Sequence, residues 1–262
     1  MITMLKVAWL ELENFLCKKI FWLLIAIYTI FTLAICLLPN LRQSYFSTIE
    51  SIPIMLLNFI VPVFLAVILI STLSSAFVSD RENNVNQIPF TCLTGKKGHS
   101  LAKMFAAILL SVLACLIITI ITFIVPVCCN LFDGNLSIKY VGDELELTPI
   151  WSTWQHFGFS FVCLVIACIT LTLFLLFISS NAKTTISAVS LSSIFVLLEV
   201  LINRFSFPTI IQEFNIWVFF EPYYFFAMEI FNFSPYVNLS LLSVSFLPLY
   251  ILAIWQIVKM RA

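Results

Sequence analysis

Residues 104–128 read MFAAILLSVLACLIITIITFIVPVC, a run without a single charged side chain. As an α-helix this stretch is about 37 Å long, enough to cross a hydrocarbon core about 30 Å thick. A barrel strand in lipid alternates apolar and polar residues, so a continuous run excludes one. A helix satisfies its own backbone donors and acceptors, which lipid cannot do. Five further runs of the same kind lie at 20–38, 54–78, 157–178, 186–202 and 239–258. Together they predict an all-α, polytopic membrane protein with six transmembrane helices in one domain, 1–262. The whole composition agrees: 62% of residues are hydrophobic and 10% are charged. Mean hydropathy is +1.10. A soluble domain carries roughly a quarter charged residues, so this chain has too little charge to present a hydrated surface all round. The polar connections are too short to fold a core of their own.

Just upstream of the opening run lies the largest basic interruption, Asp80–Lys103, reading DRENNVNQIPFTCLTGKKGHSLAK. With the N-terminus on the inner side, the inner segments carry Lys6, Lys18, Lys19, Arg81, Lys96, Lys97, Lys103, Lys183, Lys259 and Arg261. The outer segments carry only Arg42, Lys139 and Arg204. The excess of Lys and Arg inside sets the orientation. It predicts both termini in the cytosol and 79–103 as a cytosolic loop. The zero formal net charge thus covers a basic inner face and an acidic outer one. Within the loop, Val85, Ile88, Phe90 and Leu93 are spaced for a short helix with one apolar side, interrupted by Pro89.

Ahead of the first run, Ile2, Leu5, Trp9, Leu12 and Leu16 recur at three- and four-residue steps, while Lys6, Glu13 and Asn14 fall away from them. This predicts an amphipathic helix over 1–19 lying in the inner interface. Lys18-Lys19 look like the start of a signal peptide. Nineteen residues precede the run, however, and Pro39-Asn40-Leu41 follow it rather than a small-residue cleavage site, so it is read as a retained span. Pro62 should kink the second span. The outer link at 130–156 carries Asp133, Asp143, Glu144 and Glu146 and is read as a solvated loop. The segment 203–238 is rich in Phe, Tyr and Trp and is cut by Pro208, Pro222 and Pro235. Its pieces are too short to cross, and aromatic rings favour the interface. They predict a re-entrant outer hairpin that folds back at Glu221-Pro222.

Chemical motifs are sparse. Eight cysteines and two histidines, His99 and His156, form no metal-ligand spacing. The cysteines read as packing residues. The nearest approach to a phosphate loop is TGKKG at 94–98. It fails, because Phe90 stands where the first Gly belongs and Lys97 where Ser or Thr belongs. No nucleophile–base set is visible, so the chain is not read as an enzyme. Glu199 is the one acid well inside a span. Such a residue faces a bundle interior or water, and Arg204 is near enough in sequence to pair with it.

The pattern around the polar interruption resembles the permease subunit of type-2 ATP-binding-cassette (ABC) exporters. Members of that family carry an acidic start, often Glu-Arg-x-x-Gly-Thr, at the inner end of the second span. A hydrophobic stretch, a Pro or small residue, a basic residue and Gly-Lys follow before the third. Here Asp80-Arg81-Glu82 matches the start and Asn84-Val85 stands for Gly-Thr. Leu93 replaces the Pro, Lys96 fits the basic position, and Ala102-Lys103 stands for Gly-Lys.

The resemblance implies a second permease copy or paralogue and two cytosolic ABC ATPase subunits, which would hold the ATP and Mg. No cofactor is expected on this chain and no nucleic acid as partner. The 80–103 loop would sit in a groove on the ATPase. Asp80, Arg81, Glu82, Lys96, Lys97 and Lys103 would form its charged frame, and Ile88 and Phe90 its apolar anchor. The substrate would leave near the aromatic hairpin, along a route that includes Glu199, Glu221, Tyr223 and Tyr224. A peptide or peptide antibiotic ranks first as substrate, and a lipid or drug second. The implied location is a bacterial plasma membrane. The alternative is an ATP-independent secondary transporter or channel using Glu199.

Overall fold

The computed structural model describes residues 2–38, 56–82, 95–129, 137–138, 151–204, 215–220 and 235–259. Helix α1, Ile2–Leu16, comes first. Cys17 N–H donates to Glu13 O and Lys18 N–H to Phe15 O, turning the chain into α2, Lys19–Leu37. Trp22 Nε1 donates to Leu16 O at 2.8 Å across the same corner. A π-helical turn, Leu56–Ile60, leads into α3, Val61–Leu73. After a turn at 74–77 comes the short α4, Val78–Glu82. Then follow α5, Gly95–Cys128, α6, Thr153–Asn181, and α7, Thr185–Arg204. A 3-10 turn, Ile216–Phe220, precedes α8, Pro235–Ser245, and α9, Leu247–Lys259. Two-residue strands β1, Ser137–Ile138, and β2, Trp151–Ser152, pair antiparallel just ahead of α6.

Among the described residues, six stretches are long and apolar enough to cross a membrane: Lys19–Leu37, Val61–Asp80, Lys97–Cys128, Phe157–Asn181, Thr185–Ile202 and Val237–Lys259. They fit a multi-pass membrane protein and correspond to the six apolar runs. The second combines α3 with α4, and the sixth combines α8 with α9.

Helix α6 is the hub. It packs against α3, α5, α7, α9 and the 3-10 turn, while α2 packs on α3 and α5. Fully buried Ala106, Ala107, Ala114 and Cys115 of α5 and Cys163, Ala167 and Cys168 of α6 belong to one core. Small side chains let helices approach closely, which is how helices in lipid gain packing energy without a hydrophobic driving force between them. Cys115, Cys163 and Cys168 thus serve as packing residues. Two hydroxyl pairs staple the bundle: Tyr28 Oη to Thr122 Oγ1 at 2.5 Å and Tyr250 Oη to Thr170 Oγ1 at 2.6 Å. By contrast, only 11% of the apolar window in Thr185–Ile202 is buried, against 67% in Val61–Asp80. Helix α7 therefore lies at the rim.

Several local features differ from the pattern read in the sequence. Helix α5 starts at Gly95 rather than at the apolar run. Hydropathy marks where a helix becomes greasy, not where its ladder begins. On α1 the buried face is Ala8, Leu12 and Phe15, whereas Leu5 and Trp9 are exposed. Docking on α5 uses one side of the expected stripe and leaves the other outward. Pro62 sits in the first turn of α3, at the change from π to α. A second interruption of this span is at 74–77, which contains no proline. The link at 39–53, most of 130–150 and most of 203–238 lie outside the described residues, and with them the outer hairpin.

Candidate functional site

Four charged or titratable side chains converge where α1, α4 and α5 meet. His99 and Lys103 lie four residues apart in the first turns of α5, so they share one face. Glu11 lies on α1 among Ala8, Leu12 and Phe15, the side that docks on α5. Asp80 lies in α4. Lys103 Nζ is 2.6 Å from Asp80 Oδ1 and 3.6 Å from Glu11 Oε2. His99 Nε2 is 3.6 Å from Glu11 Oε1 and 3.9 Å from Asp80 Oδ2. Lys103 is 3% exposed, with its ammonium 5.9 Å from the Phe77 ring centroid. A charge so enclosed persists only when paired and hydrogen-bonded. Two carboxylates supply that here, one from each neighbouring element.

Lys18, at the corner between α1 and α2, reaches into the same region. Its Nζ donates to Thr72 O at 2.6 Å. Burial, and then the nearby Lys103 cation, push its pKa down to about 8, while Glu11 pulls in the other direction.

Two residues beyond Asp80, Glu82 ties α4 to α7. Its carboxylate accepts from Thr185 N–H at 2.8 Å and from the Thr185 hydroxyl. These bonds, the hydroxyl first, hold the exposed Glu82 carboxyl below its ordinary pKa. Thr184 and Ser187 complete the cap reciprocally. Ser187 N–H donates to Thr184 Oγ1 at 3.2 Å, and Thr184 N–H donates to Ser187 Oγ at 3.1 Å. This is a capping box with Ser in the place of Glu or Gln. An anion at a helix N-terminus also meets the positive end of its dipole.

The polar interruption is therefore closed at its base. The Asp80–Lys103 pair joins its two ends, Glu11 braces that pair from α1, and Glu82 anchors the outgoing strand of the loop to α7. Arg81 lies in α4, and Lys96 and Lys97 lie in the first turn of α5. Lys97 is exposed. Ile88 and Phe90 lie outside the described residues, as do Glu221, Tyr223 and Tyr224. Glu199 is half-buried on α7, well away in sequence from this cluster. Its backbone carbonyl accepts from Asn215 Nδ2 at 2.6 Å, and Trp217 N–H donates to Asn215 Oδ1 at 2.7 Å. Asn215 thus pins the 3-10 turn, whose Trp217, Phe219 and Phe220 are buried in the core.

Three members of the basal cluster escaped the sequence reading: Glu11, Lys18 and His99. A local signal existed for two. Glu11 shares a helical face with Ala8, Leu12 and Phe15, and His99 shares one with Lys103. Lys18 had none, because its acceptor is a backbone carbonyl 54 residues away. Chemically the cluster is a fastener. Among the described residues no group of three His, Cys, Asp or Glu side chains is placed to hold a metal ion. In comparisons with known proteins, no family model and no curated sequence matches the chain.

Proposed function

We propose that this chain is the permease subunit of a type-2 ABC exporter. In this reading the segment 83–94 docks on a cytosolic ATPase, and ATP-driven closure is transmitted through the base of the loop. One observation carries the proposal. The ends of the polar interruption, which match the exporter pattern best, are joined by the Asp80–Lys103 ion pair and braced by α1 and α7. A force applied to such a closed loop reaches two other helices, α1 and α7, at once. A solvated loop that only sets topology has no need of a buried ion pair at its base.

The same reading places α1 in the inner interface, with exposed Leu5 and Trp9 toward lipid. Both termini are cytosolic, and the aromatic segment before the last span is a re-entrant outer hairpin. The membrane is a bacterial plasma membrane. ATP and Mg belong to the partner ATPase, and the substrate crosses between this chain and a second permease copy or paralogue. The apolar, aromatic-rich spans suit an amphipathic peptide first and a lipid or drug second, with Glu199, Glu221, Tyr223 and Tyr224 near the exit.

The test is co-purification from native membranes. An ATPase should accompany the full-length chain. Replacing Ile88 and Phe90 together by Asp should abolish that association while the chain remains inserted. Association that survives the double change overturns the docking assignment. Transport that proceeds without any ATPase and disappears in Glu199→Gln would establish an ATP-independent transporter instead.

A further inference from the structure

The second span contains a break with an unusual support. In a continuous α-helix, Ala76 N–H would donate to Thr72 O and Phe77 N–H to Leu73 O. Here Ala76 N–H donates to Leu73 O at 2.9 Å, a step of three rather than four. Thr72 O accepts instead from Lys18 Nζ at 2.6 Å. Phe77 N–H donates to Ser179 Oγ at 3.0 Å. Ser79 N–H donates to Ser75 O at 2.9 Å, a step of four, just inside the next helix, Val78–Glu82. Around this slip of the ladder, Thr72 O and Phe77 N–H are left without their α-helical partners. Each is taken by a side chain from another element: Lys18 from the α1–α2 corner and Ser179 from the inner end of α6.

The local sequence, STLSSAFVSD at 71–80, explains why the slip occurs here. Ser71 and Thr72 hydroxyls both donate back to Ile68 O, and the Ser74 hydroxyl donates to Ile70 O. Such back-bonding competes with the ladder and bends helices. No proline or glycine is present, so nothing covalent forbids the continuous form. In the continuous form Thr72 O would take Ala76 N–H and Leu73 O would take Phe77 N–H once the two side chains withdraw. Backbone groups in lipid must be satisfied in any state, and for Thr72 O and Phe77 N–H this segment offers two ways of doing so.

We propose that residues 74–77 are a two-state hinge, held in its broken form by Lys18 and Ser179. In the alternative form the α ladder closes through 72–77, and both side chains are released. The segment below the hinge, α4, carries Asp80 and Glu82 and therefore the base of the polar loop. Switching the hinge re-aims that base relative to α3. As a transport device the hinge rests on the permease reading; as a two-state element it rests on the ladder alone. Loss of ATPase binding on Ile88 and Phe90 replacement tests the first, and the distance measurement below tests only the second.

The measurement is a pulsed electron-spin distance between labels at Val63 and Ser79, on the full chain in lipid nanodiscs. Attaching the labels through keto amino acids leaves the native cysteines untouched. A straight helix separates these positions by about 24 Å. The unaltered protein should show a dominant distance that departs from that value. Combining Lys18→Met with Ser179→Ala should raise the population at the straight-helix distance, relative to the bent one, roughly five- to thirty-fold. Lys18→Arg with Ser179→Thr, which keep a donor and a hydroxyl, should retain the original distribution. A single narrow peak at the straight-helix distance in the unaltered protein overturns the hinge without any variant. So does a distribution that the Met and Ala changes leave untouched, or one that the Arg and Thr changes disturb equally.

Discussion

Lys103 is the residue on which the basal cluster depends. Its ammonium is nearly enclosed and faces Asp80 and Glu11 at 2.6 Å and 3.6 Å. Removing one partner of a buried pair leaves the other uncompensated, at a cost of about 3–5 kcal/mol. Lys103→Met should therefore lower stability by about that amount in thermal unfolding in detergent. Adding Asp80→Asn should recover part of the loss, since it removes the orphaned charge. Lys18 leads to a prediction about pH. Its folded pKa of about 8 lies below the ordinary 10.5. Between those values the unfolded chain holds a proton that the folded chain has given up. This group alone thus makes stability rise with pH across that window. The difference in unfolding midpoint between wild type and Lys18→Met should grow in favour of wild type as pH rises from about 8 to 10.5. A flat difference would mean that the amine is not depressed.

Among the elements, α7 depends most on a contact from outside itself. Little of it is buried, and its first N–H is held by Glu82 from α4. Glu82→Gln should lower amide hydrogen-exchange protection over 185–188 relative to wild type. Because the folded pKa of Glu82 lies below its unfolded value, the carboxylate's contribution is present above the ordinary carboxylate range. It is lost as pH falls through the folded value. Acidification should thus weaken protection at 185–188 in wild type and leave the Gln variant unchanged. The helices themselves were legible in the sequence, because continuous apolar runs have one solution in lipid. Their interruptions were not. The slip at Ala76 needs acceptors and donors from residues 54 and 102 positions away, which no local pattern reveals. Pro62 marks the change from the π-helical turn to α3. The basal cluster was half legible: Asp80 and Lys103 stood out as ends of a polar stretch, while Glu11 and His99 were hidden within ordinary helical faces.

Over the molecule as a whole, packing is uneven. Helices α3, α5 and α6 form a dense centre, and α7, with little of its surface buried, lies at the rim. Ala167→Leu at the centre should cost about 1–3 kcal/mol through overpacking. Leu197→Ala on the exposed face of α7 should stay within about 0.5 kcal/mol. The same unfolding assay distinguishes them, and equal effects would contradict a central core. The pinned base of the polar stretch also bears on how this chain can be re-engineered. Its two ends are fastened to each other and to two further helices by contacts that lie outside 83–94. The entropy of closing a loop rises only slowly with its length. The stretch is thus a natural splice point, where a foreign recognition sequence can be exchanged in and the scaffold beneath keeps its shape.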